Sequence, residues 1–465
     1  MPDLTLAAES FQEGVSGGVE SIAQNVHIRP TPDQDGRVYE IEPVEGLDQS
    51  VSYSDNIRAI FAERDLFDGD LFTITGTSLI RFANATSGSI SKPSGPDGTV
   101  AATGDVTIAA TRTEMAICVA PNLYIYDGSS TTQVTDPDLP NVTSVTAINQ
   151  RFIISTDDDK YYWSDLLDGS SWDALNFATA EGAPDKIIRV FSDGQRVYAF
   201  GSVSTEVIGA NTNPPTASEA FSRLGGGVLP KGIAGVHAVA MDQESQLVVF
   251  MGDNRVIYAT NGYDLSPLSN VYMDSVFEAA AADDIAATRM YSYANDGRVL
   301  LVVNVPNVGT FVYNKSVQKW TRRTTQGQTN FRGNMYANVN TQHYVADENG
   351  TDIYVMDKAY TDDAGAIISK EFTASIPVRG RGNMRRLVLD AWSDCASKVS
   401  MRWTDDGRRW TDWVDRDLRS PDTDGTTEWR KMGKARSPKR IFHFRITDAC
   451  RFKVRGARIN EGVER

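Results

Sequence analysis

Three glycines ahead of a lysine, in "RLGGGVLPKGIAGVHAV" at residues 223–239, suggest a loop that cradles phosphate. Such a loop needs G-x-x-x-x-G-K-[ST], because the lysine reaches the β/γ-phosphates and the hydroxyl ligates magnesium. Gly227 and Gly232 have the spacing, but Ile233 and Ala234 stand where the lysine and hydroxyl belong, and Lys231 precedes the glycine. A dinucleotide fingerprint starting at Gly225 places Pro230 at its last glycine. No nucleotide cofactor is expected. "GVSGG" at residues 14–18 has the letters of a nucleophile elbow without the strand before it or the helix after it. His27, His237, His343 and His443 form neither an i, i+4 pair nor a Cys/His cluster, so no metal site is expected. The acidic stretches "TDDDKYY" (156–162) and "DTDGTTE" (422–428) miss the spacing of a calcium loop and read as turn acids in water. "WTDDGRRW" (403–410) is one residue short of a sialidase Asp-box; a hairpin with an Asp-Gly turn and inward-packed tryptophans accounts for it. No catalytic residue emerges.

What must position these residues is a β framework. Short apolar runs begin at Leu71, Ala116, Phe152, Val197, Leu247, Leu300 and Tyr344, with successive starts 45, 36, 45, 50, 53 and 44 residues apart by subtraction. Turn-forming residues follow several of them, as in "GTS" before Leu79 and "GDN" before Val256. A loose period of several short strands each marks a β-propeller, whose blades stack around an axis and protect one another's edges. The expectation is all-β: a propeller of six or seven blades over residues 51–370, an extended N-terminal arm over 1–50, and a C-terminal antiparallel β-sandwich-like domain over 371–465. The structural alternative, a pair of sandwiches, lacks the longer beat. The one expected helix lies in residues 276–291, "VFEAAAADDIAATRMY".

Composition breaks near residue 370. Residues 371–465 carry 22 Lys+Arg against 14 Asp+Glu, or +8; residues 1–370 carry 24 against 47, or −23, summing to the −15 of the chain. Five of the eight tryptophans lie in the basic part. No Lys or Arg precedes Arg29, the start has no apolar core, and runs such as "VLLVV" at 299–303 are too short for a bilayer, so neither a secretory leader nor a membrane segment is expected. Cys118, Cys395 and Cys450 make no disulfide framework; the last two share the C-terminal region, and reduced, buried thiols are expected. The basic clusters at 379–386 and 430–440 are candidate partner-interface residues: Arg379, Arg381, Arg385, Arg386, Arg430, Lys431, Lys434 and Arg436. DNA phosphates and an acidic protein face both suit them; the −23 region of the same chain favours protein contacts.

The order of features carries a family likeness. "RFIISTDDDKYYWSDLLDGSSWDALNFATAEGAPDKI", "VYAFGSVSTEVI", "FSRLGGGVLPKGIAGVHAV" and "LVVFMGDNRVIYATNGYDLSPLS" follow in turn, and the end reads "MRWTDDGRRWTDW", "TEWRKMGKAR" and "RIFHFRITD". Over residues 110–465 this resembles the tail nozzle or tail hub of short-tailed bacteriophages, the packaged DNA stabilisation proteins. The resemblance implies a virion protein and not an enzyme, assembled in the host cytoplasm. It implies a homo-hexameric ring below the portal and its adaptor, attachment of tail fibres, spikes or a needle, and a lumen through which double-stranded DNA passes without sequence-specific binding. An acidic wall suits that passage, since each phosphate neutralised would have to be released again.

In such a ring the closing element is expected to be a loop. The long irregular stretch 209–230 is the candidate gate, with Asn211, Asn213, Pro214, Pro215, Ser218, Phe221 and Arg223 as its residues; an inter-blade connector is the plain alternative. The rival from another class is a propeller that binds or processes glycans, for which the sequence places no acid pair.

Overall fold

The computed structural model describes residues 5–6, 21–30, 39–64, 66–83, 90–180, 182, 185–211, 214–242, 244–347, 349–378, 381–421, 426–436 and 439–462. The chain builds a seven-bladed β-propeller joined to a C-terminal pair of sheets. Six blades are consecutive antiparallel meanders of four strands, at residues 57–99, 106–133, 144–179, 187–229, 239–267 and 289–323. The seventh takes three strands from residues 335–357, and its outer strand, Gly46–Ser52, from the beginning of the chain. Each of the seven apolar runs in the sequence overlaps the second strand of one blade, which settles the count at seven.

These second strands read as unbroken apolar runs because both faces are covered. Leu71–Thr75, Met115–Val119 and Arg298–Val305 are buried along their whole length. The core is accordingly divided among the blade interfaces: Phe72, Ile74, Ile117 and Tyr126 between blades 1 and 2, Trp163 and Ile208 between 3 and 4, Tyr293 and Val345 between 6 and 7. Two-residue turns set the register where both residues take positive φ, at Asn149-Gln150 and at Asp296-Gly297. Hydroxyls stitch the inner strands around the axis: Val145 N donates to Thr107 Oγ1 at 3.0 Å and Val190 N to Ser144 Oγ at 2.9 Å.

The helical segment differs from its expected bounds. Val271–Ala279 is a helix capped by Asn270, whose Oδ1 accepts from Met273 N at 3.0 Å, and a short second turn spans Ala282–Ala286. The helix stops because Arg289–Asn295 is already the inner strand of blade 6, held by Met290 N to His237 O at 3.0 Å.

In the C-terminal pair, one sheet contains Lys370–Pro377, Lys439–Ile446, Lys398–Thr404 and Val414–Asp417; the other contains Arg381–Ser393, Phe452–Gly462, Thr427–Arg430 and Lys434–Arg436. Phe372, Phe444, Met384, Leu387 and Trp429 fill the space between them. The described part of the segment read as an arm is built into the fold. Val26–Pro30 and Tyr39–Pro43 extend the second sheet, whereas Ala23–Gln24 pairs with Lys370–Pro377 on one side and, in parallel, with the outer strand of blade 6, Lys319–Arg323, on the other. One sheet therefore runs without a break from the propeller into the C-terminal domain. Apolar positions at Ala23, Val26, Ile28 and Ile41 drive this docking, since all four are completely buried. Cys395 and Cys450, 5.9 Å apart at Cα, are joined as a disulfide, in contrast to the expected thiols; Cys118 is a free, buried thiol.

Candidate functional site

The two basic clusters, some 45 residues apart in sequence, meet on one edge of one sheet. Arg386 lies opposite Arg430, Arg381 opposite Arg436, and Asn383 opposite Lys434. Lys431 N donates to Arg385 O at 2.9 Å, closing the turn between the two partner strands. Arg385, Arg430, Lys431, Lys434 and Arg436 are exposed and Arg386 is half-buried. Like charges facing each other across a strand pair repel, and Glu428 answers this by accepting from both Arg386 Nε and Arg430 Nε, the latter at 2.6 Å. Its carboxyl is held below the usual range: slight burial pushes it up, and the hydrogen bonds from the two arginines outweigh that. Arg440, next to the edge and 3% exposed, has an internal job, donating to Asp405 and to the carbonyls of Met432 and Lys434. Arg379 lies outside the described residues, and Arg381 is described only as a strand position.

The expected long irregular loop at 209–230 is a correction. Thr205–Ala210 and Phe221–Leu229 are the third and fourth strands of blade 4, paired Gly209 to Ser222 and Ala210 to Phe221, so the stretch between the strands shrinks to residues 211–220, of which 212 and 213 lie outside the described residues. It joins strands of one blade and is no inter-blade connector. The pairing skips from Ile208–Arg223 to Glu206–Val228, and the glycine triplet occupies the bulge between them, with Gly226 at φ 77°. Phe221 is no part of a movable segment: it is buried, edge-on to Trp163 at 5.4 Å between ring centroids. Trp163 Nε1 donates to Ala217 O at 2.9 Å, which ties the turn to blade 3. Asn211 braces the base, donating from its backbone N to Ala220 O at 2.9 Å and accepting from Ser222 Oγ at 2.9 Å. Arg223 is exposed and donates to Glu206 at 3.2 Å. Pro214 is half-buried, and Pro215 and Ser218 are exposed at the tip; Asn213 lies outside the described residues.

Sequence spacing gave no sign of the buried joint between the two halves. Glu45, 2% exposed, meets His27 Nε2 at 2.9 Å, accepts from Tyr293 OH at 3.2 Å and Arg323 Nη1 at 3.3 Å, and also accepts from Asn295. Burial raises its pKa, but His27 and Arg323 prevail and hold it well below the usual carboxylate range. The other flagged residues take structural places. His343 lies against Tyr336 and Tyr293, and His443 against Trp410 and Trp413. In the 403–410 hairpin Asp406 accepts from the backbone N of Arg408 and Arg409. Its tryptophans are half-buried: Trp403 packs against the core between the two sheets, as expected, whereas Trp410 lies beneath the Arg402 guanidinium. Asp158 likewise serves its own turn through Lys160 N. The 14–18 glycine motif and residues 422–425 lie outside the described residues.

Similar solved structures are distant. PorZ, a surface component of the type-IX secretion system of Porphyromonas gingivalis, is 14% identical with a TM-score of 0.38, over 79% of this chain and 46% of that one, so this chain spans under half its length. The N-terminal domain of Nup159 is 10% identical with a TM-score of 0.42, over 72% of this chain and 99% of that one. No curated protein matches. The phage stabilisation family, described as "Bacteriophage P22 Gp10, beta-propeller", matches residues 60–361, from the inner strand of blade 1 to just past the third strand of blade 7. With that match over more than half its length, and blades where the family has its propeller, the chain belongs to the phage stabilisation family of P22 Gp10.

Proposed function

We propose that this protein is the tail nozzle or hub of a short-tailed phage. Six copies form a ring below the portal and its adaptor, retain the packaged DNA, and enclose the channel by which it leaves. The observation that carries this reading is the family match, which coincides with the propeller. In it, residues 51–370 form the body, and residues 371–465 present the basic sheet edge to an acidic face of a neighbouring ring. Fibres, spikes or a needle attach to the assembled ring. The net −23 of residues 1–370 suits a surface past which a duplex slides without being held. The exposed hairpin tip at residues 215–219 is the candidate closing element, in a narrower form than the sequence suggests: a short turn on a fixed base.

Light scattering on the purified protein, alone and with the portal-adaptor ring, tests the proposal together with electron microscopy of assembled tails. A hexamer in at least the second sample, located below the adaptor, is expected. A chain that remains monomeric in both samples and is missing from tails overturns it.

A further inference from the structure

The inner strands line a cavity of about 200 Å³ on the propeller axis, open to solvent, with walls from six of the seven blades. Ile60, Val106, Ile108 and Met335 supply the apolar parts of a mainly polar wall. Into it come Arg189 from blade 4, His237 at the entrance to blade 5, and Arg289 from blade 6. No Asp or Glu is among the described residues that line it. Arg189 Nε and Nη1 and His237 Nε2 are buried and have no hydrogen-bond partner among the described residues. Arg189 reaches this position through a bulge, since the pairing of its strand skips from Ile187–Gly201 to Arg189–Phe200.

Arg189 and His237 as whole residues are half-buried, yet their inward nitrogens are shielded and unpaired, and such orphaned donors mark a missing acceptor. Burial pulls Arg189 down to about 10, so it remains a cation at neutral pH. The nearby Cys118 thiol is pushed by burial up to about 12 and brings no negative charge. Burial, Arg289 and Arg189 together hold His237 well below its usual value, so it is neutral and offers a single N–H. Two cations and a neutral donor around a space that holds a few water-sized particles select a small ion with several acceptor oxygens.

We propose that the propeller axis is a binding site for a free, phosphate-sized inorganic oxyanion, held by Arg189 and His237 with Arg289 alongside. The site is independent of the nozzle reading: it needs only the ring of inner strands. The full chain is titrated with inorganic phosphate at constant ionic strength against chloride, and followed by calorimetry and by the melting temperature. Saturable binding with a matching rise in Tm is expected. Arg189→Met weakens it at least about tenfold, the loss of charge-assisted hydrogen bonds. The same variant is more stable than the parent in chloride, because its buried charge is gone. His237→Phe weakens phosphate binding by a smaller factor and serves as the readout where Arg189→Met does not fold. Sulfate competes, and a 5′-phosphorylated oligonucleotide does not. The assignment is overturned by absence of saturable binding, by equal affinity in His237→Phe and the parent, or by binding of the oligonucleotide alone.

Discussion

Glu45 shows how much one side chain carries at the junction of the two halves. It joins the N-terminal strands to blade 6 through Arg323, with which it forms a buried ion pair 278 residues apart in sequence. Removing the carboxylate leaves Arg323 with only Asp363, at 3.9 Å, as a counter-charge, and Glu45→Gln is expected to cost about 3 kcal/mol in urea unfolding. The pH dependence follows from the lowered pKa. The carboxylate stabilises the fold in full above its unfolded value of about 4.3 and loses that contribution as pH falls below it toward the folded value. Stability of the parent therefore drops on acidification below about pH 4, with a shallower drop in Glu45→Gln; equal slopes remove Glu45 as the cause. This cluster was illegible in the sequence because no local spacing relates residues 27, 45, 293 and 323. The misplacement of Phe221 has a related origin: proline and glycine around it read as loop, while the Trp163 contact that buries it comes from another blade.

At the level of elements, the repeating unit was readable and its closure was not. Each blade's second strand is covered on both faces and so announces itself by composition alone. The outer strand Gly46–Ser52, half exposed and far in sequence from the blade it completes, carries no such signature. Gly46 belongs there because a Cβ would collide with the backbone of Tyr360, at 2.7 Å from its carbonyl, and with that of Asp362. Gly46→Ala is expected to lower the melting temperature by several degrees, on the order of 1–3 kcal/mol, as other overpacked sites do. The blade 4 turn divides in the same way. Phe221→Ala is expected to cost about 3–5 kcal/mol by leaving a cavity against Trp163, while deleting residues 214–216, which spares the Trp163 Nε1 bond to Ala217 O, is expected to leave the blades intact and, if the tip closes the channel, to let packaged DNA escape. Unchanged DNA retention in virions carrying the deletion would dismiss the tip as a closing element.

Across the whole molecule, charge is divided along the sequence more sharply than in the fold, since the strand Tyr39–Pro43, with Glu40 and Glu42, is built into the basic C-terminal sheets. The arginines and lysines that converge from 381–386 and 430–436 were visible as clusters, but their meeting on one sheet edge depends on strand pairing that no linear pattern reveals. Replacing Arg385, Arg430, Lys431 and Arg436 together by glutamate is expected to abolish binding to the neighbouring ring. Since these side chains are exposed, binding by the parent should fall as salt rises from 50 to 500 mM, which is on the order of the screening range of such contacts. Salt-independent association would assign the edge another role.

The shared seventh blade also dictates a timetable for synthesis. Gly46–Ser52 leaves the ribosome early, whereas Asp352–Asp357, the strand it must pair with, follows about 300 residues later. At ~5–20 residues per second the early strand waits roughly 15–60 s with its edge open. Each nascent copy thus spends that interval with Gly46–Ser52 unpaired, open to Asp352–Asp357 of a finished copy. Conditions that keep nascent chains apart are expected to raise the soluble yield, which should respond to translation rate and temperature more than to the stability of the finished fold.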